Sequence, residues 1–163
     1  MIVPLREEDV ESCARIMTGN HLWQYYSVTL ATADTLFREG LNTQEAQIYV
    51  SLDNDTITGF IWYYLRGTFH HGGYIRLIGV HPDYHGRGIG TQLIQSAEIS
   101  IMTHTPHLFL LSSHFNQQAH QFYNRLGYDL IGECPNFAQD GISEMIFYKR
   151  LTSEKGNVLP TNH

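Results

Sequence analysis

Cysteine and long apolar runs are both scarce in this chain of 163 residues. Two cysteines, Cys13 and Cys134, do not indicate a disulfide framework, so we expect free thiols in a reducing cytoplasm. Since no stretch approaches the roughly 18 consecutive apolar residues that span a bilayer, we expect no membrane partner. The segment Met1–Asp9 has no basic region ahead of an apolar stretch, and we therefore expect no signal peptide.

Basic residues are also few, with 10 Lys and Arg against 16 Asp and Glu and a formal net charge of −6. A nucleic-acid surface needs clustered basic residues, so nucleic acid is not an expected partner. An acidic surface instead favours the approach of a cationic amine. The length and the hydrophobic content of 42% predict a single domain over residues 1–151, followed by a polar tail over 152–163.

Metal-ligand patterns are absent from the sequence, although it contains 10 histidines. His81 and His85 are four residues apart, but Pro82 and the following glycines predict a turn rather than a helix face. Asp53 to Asp55 is interpreted as a hairpin turn because the spaced glycine and glutamate of a calcium loop are missing. We therefore expect no metal.

Hydrophobic periodicity predicts alternating helices and strands. The strands are expected at residues 1–6, 47–52, 56–69, 73–80, 108–112, 128–133 and 143–150. The helices are expected at 7–18, 33–41, 89–102 and from Asn116, whereas the pattern of 20–30 is undefined. Gly79, inside the strand 73–80, indicates either a bulge or a close backbone contact.

The most informative segment is the alternation Gly86, Gly88 and Gly90 between a strand and a predicted helix. Glycines before a helix let backbone N–H groups surround a phosphate, and the helix dipole adds to the attraction. The spacing is not the dinucleotide fingerprint, which needs G-x-G-x-x-G and an acidic residue about 20 positions later. It is not a P-loop either, because Thr91 follows where Lys and Ser or Thr are required.

A second segment, Asn116–Tyr128, forms a pattern of its own. Asn116 is a good helix N-cap, and Gly127 is a C-terminal stop. Between them, the apolar residues share one helix face, namely Ala119, Phe122, Tyr123 and Leu126. Periodicity alone would be satisfied by an ordinary amphipathic helix, but it would not explain the pairing with the glycine segment.

Together the two segments resemble the GNAT superfamily of N-acetyltransferases. The stretch Val80–Gly90 is similar to its acetyl-coenzyme A signature, with His85 where the family prefers Arg or Gln, and Asn116–Tyr128 is similar to its later helix. The resemblance implies a mixed α/β (α+β) fold. Its central sheet would be mixed and mostly antiparallel, with about seven strands, flanking helices and a splayed strand pair that holds acetyl-coenzyme A.

The resemblance also implies roles for individual residues. Tyr123 falls on the position that serves as general acid, a task that suits a phenol with a pKa of about 10. Val80 N–H is the implied donor to the developing oxyanion. The implied acetyl-coenzyme A ligands are the strand residues Ile78, Gly79 and Val80, the loop and helix residues His85, Gly86, Arg87, Gly88, Ile89, Gly90 and Thr91, and Asn116.

The general base and the acceptor stay open. Tyr74 and Leu111 stand where some members of the family carry a glutamate. The hypothesis is that a water held by backbone carbonyls and a nearby polar side chain accepts the proton, or that the amine arrives partly neutral. The candidate side chains are His70, His71, His114 and Glu144. Aromatic residues offer a wall for a cationic amine by cation–π contact, or are simply core. These residues are Trp23, Tyr25, Tyr26, Trp62, Tyr63, Tyr64 and Phe137.

The expected activity is transfer of an acetyl group from acetyl-coenzyme A to the primary amine of a small molecule. Two alternatives are acetylation of a protein lysine or N-terminus, which the absence of a glutamate at Leu111 disfavours, and a non-catalytic module that binds acyl-coenzyme A. Retention of Asn116 and Tyr123 argues against the module. The resemblance further implies that the chain can pair as a homodimer through its last strands.

Overall fold

A computed structural model describes residues 1–152 and contains one seven-stranded sheet in the order β1-β2-β3-β4-β5-β7-β6. The strands are β1 (Ile2–Pro4), β2 (Ala46–Asp53), β3 (Thr56–Thr68), β4 (Gly72–Val80), β5 (His107–Ser113), β6 (Asp129–Pro135) and β7 (Ser143–Arg150). All neighbours are antiparallel except β4 and β5. The mixed, mostly antiparallel sheet is therefore confirmed. The predicted tail lies, after Thr152, outside the described residues.

Five α-helices flank the sheet in the described part of the chain. They are α1 (Val10–Thr18), α2 (His21–Tyr25), α3 (Leu30–Leu41), α4 (Ile89–Met102) and α5 (Gln117–Arg125). The short α2 lies in the region whose pattern was undefined. The first strand is shorter than predicted, and α1 begins later than predicted because a 3₁₀ turn, Glu7–Asp9, precedes it. Within residues 1–152, no helix combines the length and the apolar character that crossing a membrane requires.

The two faces of the sheet carry separate apolar cores. One core lies under α1 and α3 and includes Phe37, Phe60 and Trp62. The other lies under α4 and α5, where the predicted stripe of α4 is fully buried: Leu93, Ile94, Ala97 and Ile101. Trp62 and Tyr63 are 1% and 2% exposed, so these two aromatic residues belong to the cores and do not line an acceptor pocket.

The strands β4 and β5 pair only at their first residues. Gly73, Tyr74 and Ile75 face Leu108, Phe109 and Leu110 in parallel register, and the pairing then ends. Beyond it, β4 runs on to Val80 and β5 to Ser113 without a shared ladder. The two strands therefore separate inside a continuous sheet, which exposes backbone donors and acceptors at its centre.

The irregularity of β4 lies at Arg76 rather than at Gly79. The β3 register shifts between Trp62, which faces Leu77, and Tyr63, which faces Ile75, so Arg76 is the extra residue of a bulge. Gly79 instead marks a close approach, since an added Cβ would lie 2.6 Å from the Phe60 ring. Gly79 is therefore not the bulge, and the close contact that it allows is with side-chain rings rather than with another backbone segment.

We predict that Gly73→Ala destabilises the fold. A Cβ at Gly73 would lie 2.4 Å from Cγ2 of Ile101, whose side chain is fully buried and branched at that point. Overpacking of this kind lowers the free energy of unfolding by about 1–3 kcal/mol, measurable by denaturant titration. The control is Gly132→Ala on the edge strand β6, where the nearest atom is 3.4 Å away. Equal stability of the two variants would contradict the packing argument.

Candidate active site

The loop between β4 and α4 has an open, left-handed backbone. Gly86 and Gly88 have φ values of +77° and +76°, a region that L side chains rarely adopt. No atom lies within 4 Å of the position that a Cβ would take at either glycine. The outer face of this loop is therefore bare backbone, accessible to a ligand.

The loop leads into the N-terminus of α4, with Gly88 as N-cap. The Gln92 N–H donates to the Gly88 carbonyl at 3.0 Å, so the amides of Gly88, Ile89, Gly90 and Thr91 precede the intrahelical ladder. The first turn of α4 carries no acidic residue. Free amides at the positive end of a helix dipole suit an anion such as a diphosphate.

Gly90 has a different function from the two loop glycines. A Cβ there would lie 3.3 Å from the Phe122 ring and 3.7 Å from Cγ2 of Val80. Gly90 thus lets the start of α4 approach α5 and the end of β4 closely. This contact places the loop beside the gap between β4 and β5.

His85 and Arg87 both turn back onto the loop. The Nε2 of His85 lies 2.9 Å from the Val80 carbonyl oxygen and, because a carbonyl only accepts, must carry the proton. The Arg87 guanidinium lies over the Tyr84 ring at 4.7 Å and donates to the Asp83 carbonyl at 3.3 Å. His85 therefore connects the loop to the end of β4 by a hydrogen bond, and Arg87 is held at the edge of the loop.

The backbone of Ile78 and Val80 points into the gap. The His81 N–H donates to the Thr58 carbonyl at 2.8 Å, so Thr58 and His81 form a hydrogen-bonded pair of the β3–β4 ladder. In an antiparallel ladder, hydrogen-bonded and non-hydrogen-bonded pairs alternate along the strands. Gly79 is bonded to β3, whereas the N–H and C=O groups of Ile78 and Val80 face the β5 side. The Val80 C=O is already bonded to His85 Nε2. An extended ligand in the gap can form strand-like hydrogen bonds with the other three groups, the Val80 N–H and the N–H and C=O of Ile78.

The helix α5 brings Asn116 and Tyr123 to the same gap. Asn116 is the N-cap, and its side chain accepts a hydrogen bond from Ala119 N–H at 3.3 Å. Tyr123 is 7% exposed, and its ring packs among Phe122, Tyr128 and Phe147 at centroid distances of 5.4, 5.9 and 5.6 Å. Burial raises the pKa of the Tyr123 phenol above its ordinary value, so the hydroxyl stays protonated.

A cleft of about 460 Å³ opens at this gap. Its described lining combines α1, α2, both splayed strands, α5 and the β6–β7 loop. The residues are Met17, Leu22, Trp23, Tyr26, Val28, Tyr74–Ile78, Leu110–Ser113, Asn116, Tyr123, Phe137, Ala138 and Glu144. Trp23, Tyr26 and Phe137 thus line the cleft, whereas Tyr25 is 60% exposed and packs on Phe115 at 4.6 Å.

Of the four side chains considered as general base, one lines the cleft. Glu144 does so, and it is 7% exposed. His70 and His71 lie in the tight turn between β3 and β4, where Thr68 pairs with Gly72 at the opposite end of β4 from the glycine loop. His114 exchanges hydrogen bonds with the Ser143 backbone and lies outside the cleft lining. The three histidines therefore do not line the cleft, whereas Glu144 does.

Glu144 lies in a compact hydrogen-bonded group at the side of the cleft where β5 and β7 pair. The Tyr26 and Ser113 hydroxyls each lie 3.0 Å from Glu144 Oε1 and 2.6 Å from each other. Each hydroxyl has one proton, so when one of them donates to the other, the second donates to Oε1. Ser113 faces Glu144 across β5 and β7, and Tyr26 follows α2. The sequence pattern did not reveal this group, because Tyr26 and Glu144 are 118 positions apart in the chain.

Among residues 1–152, no group of three or more His, Cys, Asp or Glu side chains is placed to hold an ion. The His81 ring accepts from Asp83 N–H at 3.2 Å, and His85 bonds to Val80. Both histidines therefore stabilise the turn in which the sequence placed them.

The chain belongs to the acetyltransferase (GNAT) family, whose model matches residues 14–128, more than half of its length. The matched range contains the glycine loop, the splayed strands and α5. No curated protein sequence matches the chain.

Solved structures with the same fold are only distantly similar in sequence. The ribosomal-protein-S18-alanine N-acetyltransferase of Escherichia coli is 16% identical with a TM-score of 0.76, covering 98% of this chain and 99% of its own. An aminoglycoside 6′-N-acetyltransferase complexed with coenzyme A is 15% identical with a TM-score of 0.73, covering 100% and 99%. A GNAT acetyltransferase from Bacillus cereus is 18% identical with a TM-score of 0.73, covering 93% and 97%. At these identities, the likeness concerns the fold.

Proposed function

We propose that this protein is an acetyl-coenzyme A-dependent N-acetyltransferase that acts on a primary amine of a small molecule by direct attack. The observation that carries the proposal is the continuity of two backbone surfaces. The open amides of the glycine loop and the α4 N-terminus adjoin the unpaired edge of β4 at Ile78 and Val80. One surface suits a diphosphate and the other an extended amide-containing arm, and coenzyme A contains both in that order.

The site residues fit acetyl-coenzyme A by their chemistry. Backbone donors from Gly86 to Thr91 would hold the diphosphate, and no carboxylate in the first turn of α4 opposes it. The bound thioester supplies an activated acetyl group. The Val80 N–H, which faces the gap, would donate to the acetyl carbonyl oxygen. Asn116 would contact the arm near the thioester.

Tyr123 would donate a proton to the sulfur that leaves. Its hydroxyl borders the cleft, and burial raises its pKa, which keeps it protonated at neutral pH. The acceptor amine would enter from the side of α2 and the β6–β7 loop, where Tyr26, Phe137 and Glu144 lie.

A protein acceptor is the second candidate. The S18-alanine N-acetyltransferase has the same fold, but an aminoglycoside enzyme does too, so the fold does not favour either acceptor. Leu111, which lines the cleft, stands where a carboxylate is found in the protein-directed members that it resembles. We therefore keep the small-molecule amine as the proposed acceptor. We further propose that the protein is located in the cytoplasm and that it forms a homodimer.

The test combines binding and turnover on the purified protein. We expect calorimetric titration to give a saturable 1:1 complex with acetyl-coenzyme A, and a thiol-release assay to respond to amines and not to matched alcohols. Binding without amine-dependent thiol release on a broad panel would identify a non-catalytic module. Absence of both would refute the proposed function.

A further inference from the structure

The charge balance of the cleft is simple. Among the described residues that line it, Glu144 is the one carboxylate and Arg76 the one cation. Arg76 is already engaged elsewhere, since its guanidinium lies over the Trp62 ring at 4.4 Å and donates to the Tyr64 hydroxyl at 3.3 Å. The cleft therefore presents one negative group to a ligand.

The Glu144 carboxylate is largely buried, yet within residues 1–152 it forms no ion pair. Its polar contacts within the protein are with two neutral hydroxyls, and both contacts are at Oε1. Removing a carboxylate from water without a cationic partner is unfavourable. A ligand with a positive charge, bound at Oε2, would offset this cost.

Other polar groups around Glu144 do not supply that positive charge. Tyr26 directly follows α2, Ser113 ends β5, and His114 comes next in the chain. Cys134 lies at the paired position of β6, and Tyr74 lies on β4. Proximity to Glu144 contributes to a raised pKa for both Tyr26 and Tyr74, for which burial is the larger cause. Both phenols are therefore neutral at pH 7, as is the Ser113 hydroxyl.

The remaining walls on the acceptor side are apolar. They are Met17, Leu22, Trp23, Val28, Leu77, Leu111, Phe137 and Ala138. A single carboxylate among such walls matches a single ammonium on an apolar body. It does not match a polycation, whose further charges would lose water without an anionic partner.

We propose that Glu144, held by Tyr26 and Ser113, binds the ammonium of an apolar monoamine and accepts its proton; this inference rests on the proposed function. The ammonium N–H bond breaks and the proton passes to the Glu144 carboxylate, leaving a neutral amine. The amine nitrogen forms a bond to the acetyl carbon while the carbon–sulfur bond breaks. The leaving sulfur takes the hydroxyl proton of Tyr123. The Tyr123 oxygen is then reprotonated by the second proton of the attacking nitrogen, and the Glu144 carboxyl releases its proton to water.

The test uses two acceptors of the same shape and different charge. Benzylamine is a cation at pH 7, whereas phenylhydrazine is neutral and needs no deprotonation. We expect Glu144→Gln to lower kcat/KM for benzylamine at least about 30-fold, the effect of removing one partner of a buried charge pair. We expect less than about a threefold change for phenylhydrazine, because a neutral acceptor makes no ion pair with Glu144. The matched control is Glu133→Gln, an exposed carboxylate on β6 outside the cleft, which should leave both values unchanged.

Two further measurements distinguish loss of the Glu144 charge from damage to the fold. Glu144→Asp keeps the charge and should retain more benzylamine activity than Glu144→Gln does. Calorimetric affinity for coenzyme A should stay within twofold of the original protein in both variants, which verifies that the fold and the nucleotide site are intact.

Each other outcome overturns the inference. Equal loss for benzylamine and phenylhydrazine would make Glu144 a structural residue of the cleft. Unchanged benzylamine activity would remove it from the site. A preference of the original protein for spermidine over benzylamine would exclude the apolar monoamine. Absence of coenzyme A binding and of thiol release in the original protein would instead identify failure of the proposed function itself, and the inference would fall with it.

Discussion

Replacing Gly88 by aspartate is expected to weaken coenzyme A binding at least about 100-fold. The carboxylate would stand at the N-cap of α4, where the free amides of Ile89, Gly90 and Thr91 converge. Two unit charges about 5 Å apart repel by roughly 3 kcal/mol at an effective dielectric constant of 20. Since each 1.4 kcal/mol is about a factor of ten in affinity, two decades are expected. Isothermal titration calorimetry with coenzyme A measures the change.

The matched control is Gly88→Asn. Asparagine has the shape of aspartate without its charge, and both residues tolerate the left-handed backbone that Gly88 adopts at a φ of +76°. We expect less than a tenfold loss for Asn, because only the bulk of the side chain remains. The difference between the two variants should shrink at high salt, as screening predicts. Equal affinities of the Asp and Asn variants would place the diphosphate away from this loop.

The sequence predicted the regular part of the fold because its signals are local. The buried stripe of α4 and the caps of α5 at Asn116 and Gly127 depend on spacing within a single helix. The strand β4 was also visible as an apolar run. These signals do not require knowledge of which segments become neighbours, so the predicted elements agree with the structure.

The acceptor side could not be predicted in the same way. Tyr26, Ser113 and Glu144 come from three distant segments, and only the sheet order that places β7 beside β5 brings them together. The bulge at Arg76 depends on the register between β3 and β4, which the apolar run of β4 does not encode. Glycine misled the interpretation at one point, since Gly79 accommodates a neighbouring ring, whereas the bulge falls on a residue with a long side chain.

The glycine loop and the cleft wall around Glu144 therefore differ in how the sequence encodes them. The loop from His85 to Thr91 is a continuous segment, and a short pattern suffices to identify it. The acceptor wall is assembled from tertiary contacts, among them the β6–β7 loop, in which the Asn136 side chain accepts from Gly141 N–H at 2.7 Å. Loops of this kind vary while the scaffold stays, which fits a fold shared by enzymes with different acceptors.

Removal of the Tyr123 hydroxyl is expected to lower kcat at least about 100-fold, within the range that a positioned proton donor contributes. In Tyr123→Phe the ring keeps its contacts with Phe122, Tyr128 and Phe147, so the fold should be retained. Coenzyme A affinity should change less than threefold, because the loop amides are untouched. Steady-state thiol release with a saturating amine gives kcat, and calorimetry gives the affinity.

The pH dependence of the original protein provides an independent check on Tyr123. A proton donor acts in its protonated form, and burial raises the pKa of this phenol above the ordinary value of about 10. The Tyr123 hydroxyl is therefore protonated at every pH below this raised pKa and loses its proton only above it. We therefore expect no loss of kcat from Tyr123 between pH 7 and about pH 10. An alkaline loss that begins near pH 8 in the original protein and disappears in Tyr123→Phe would show a lowered pKa, which is incompatible with the buried, uncharged surroundings of this hydroxyl.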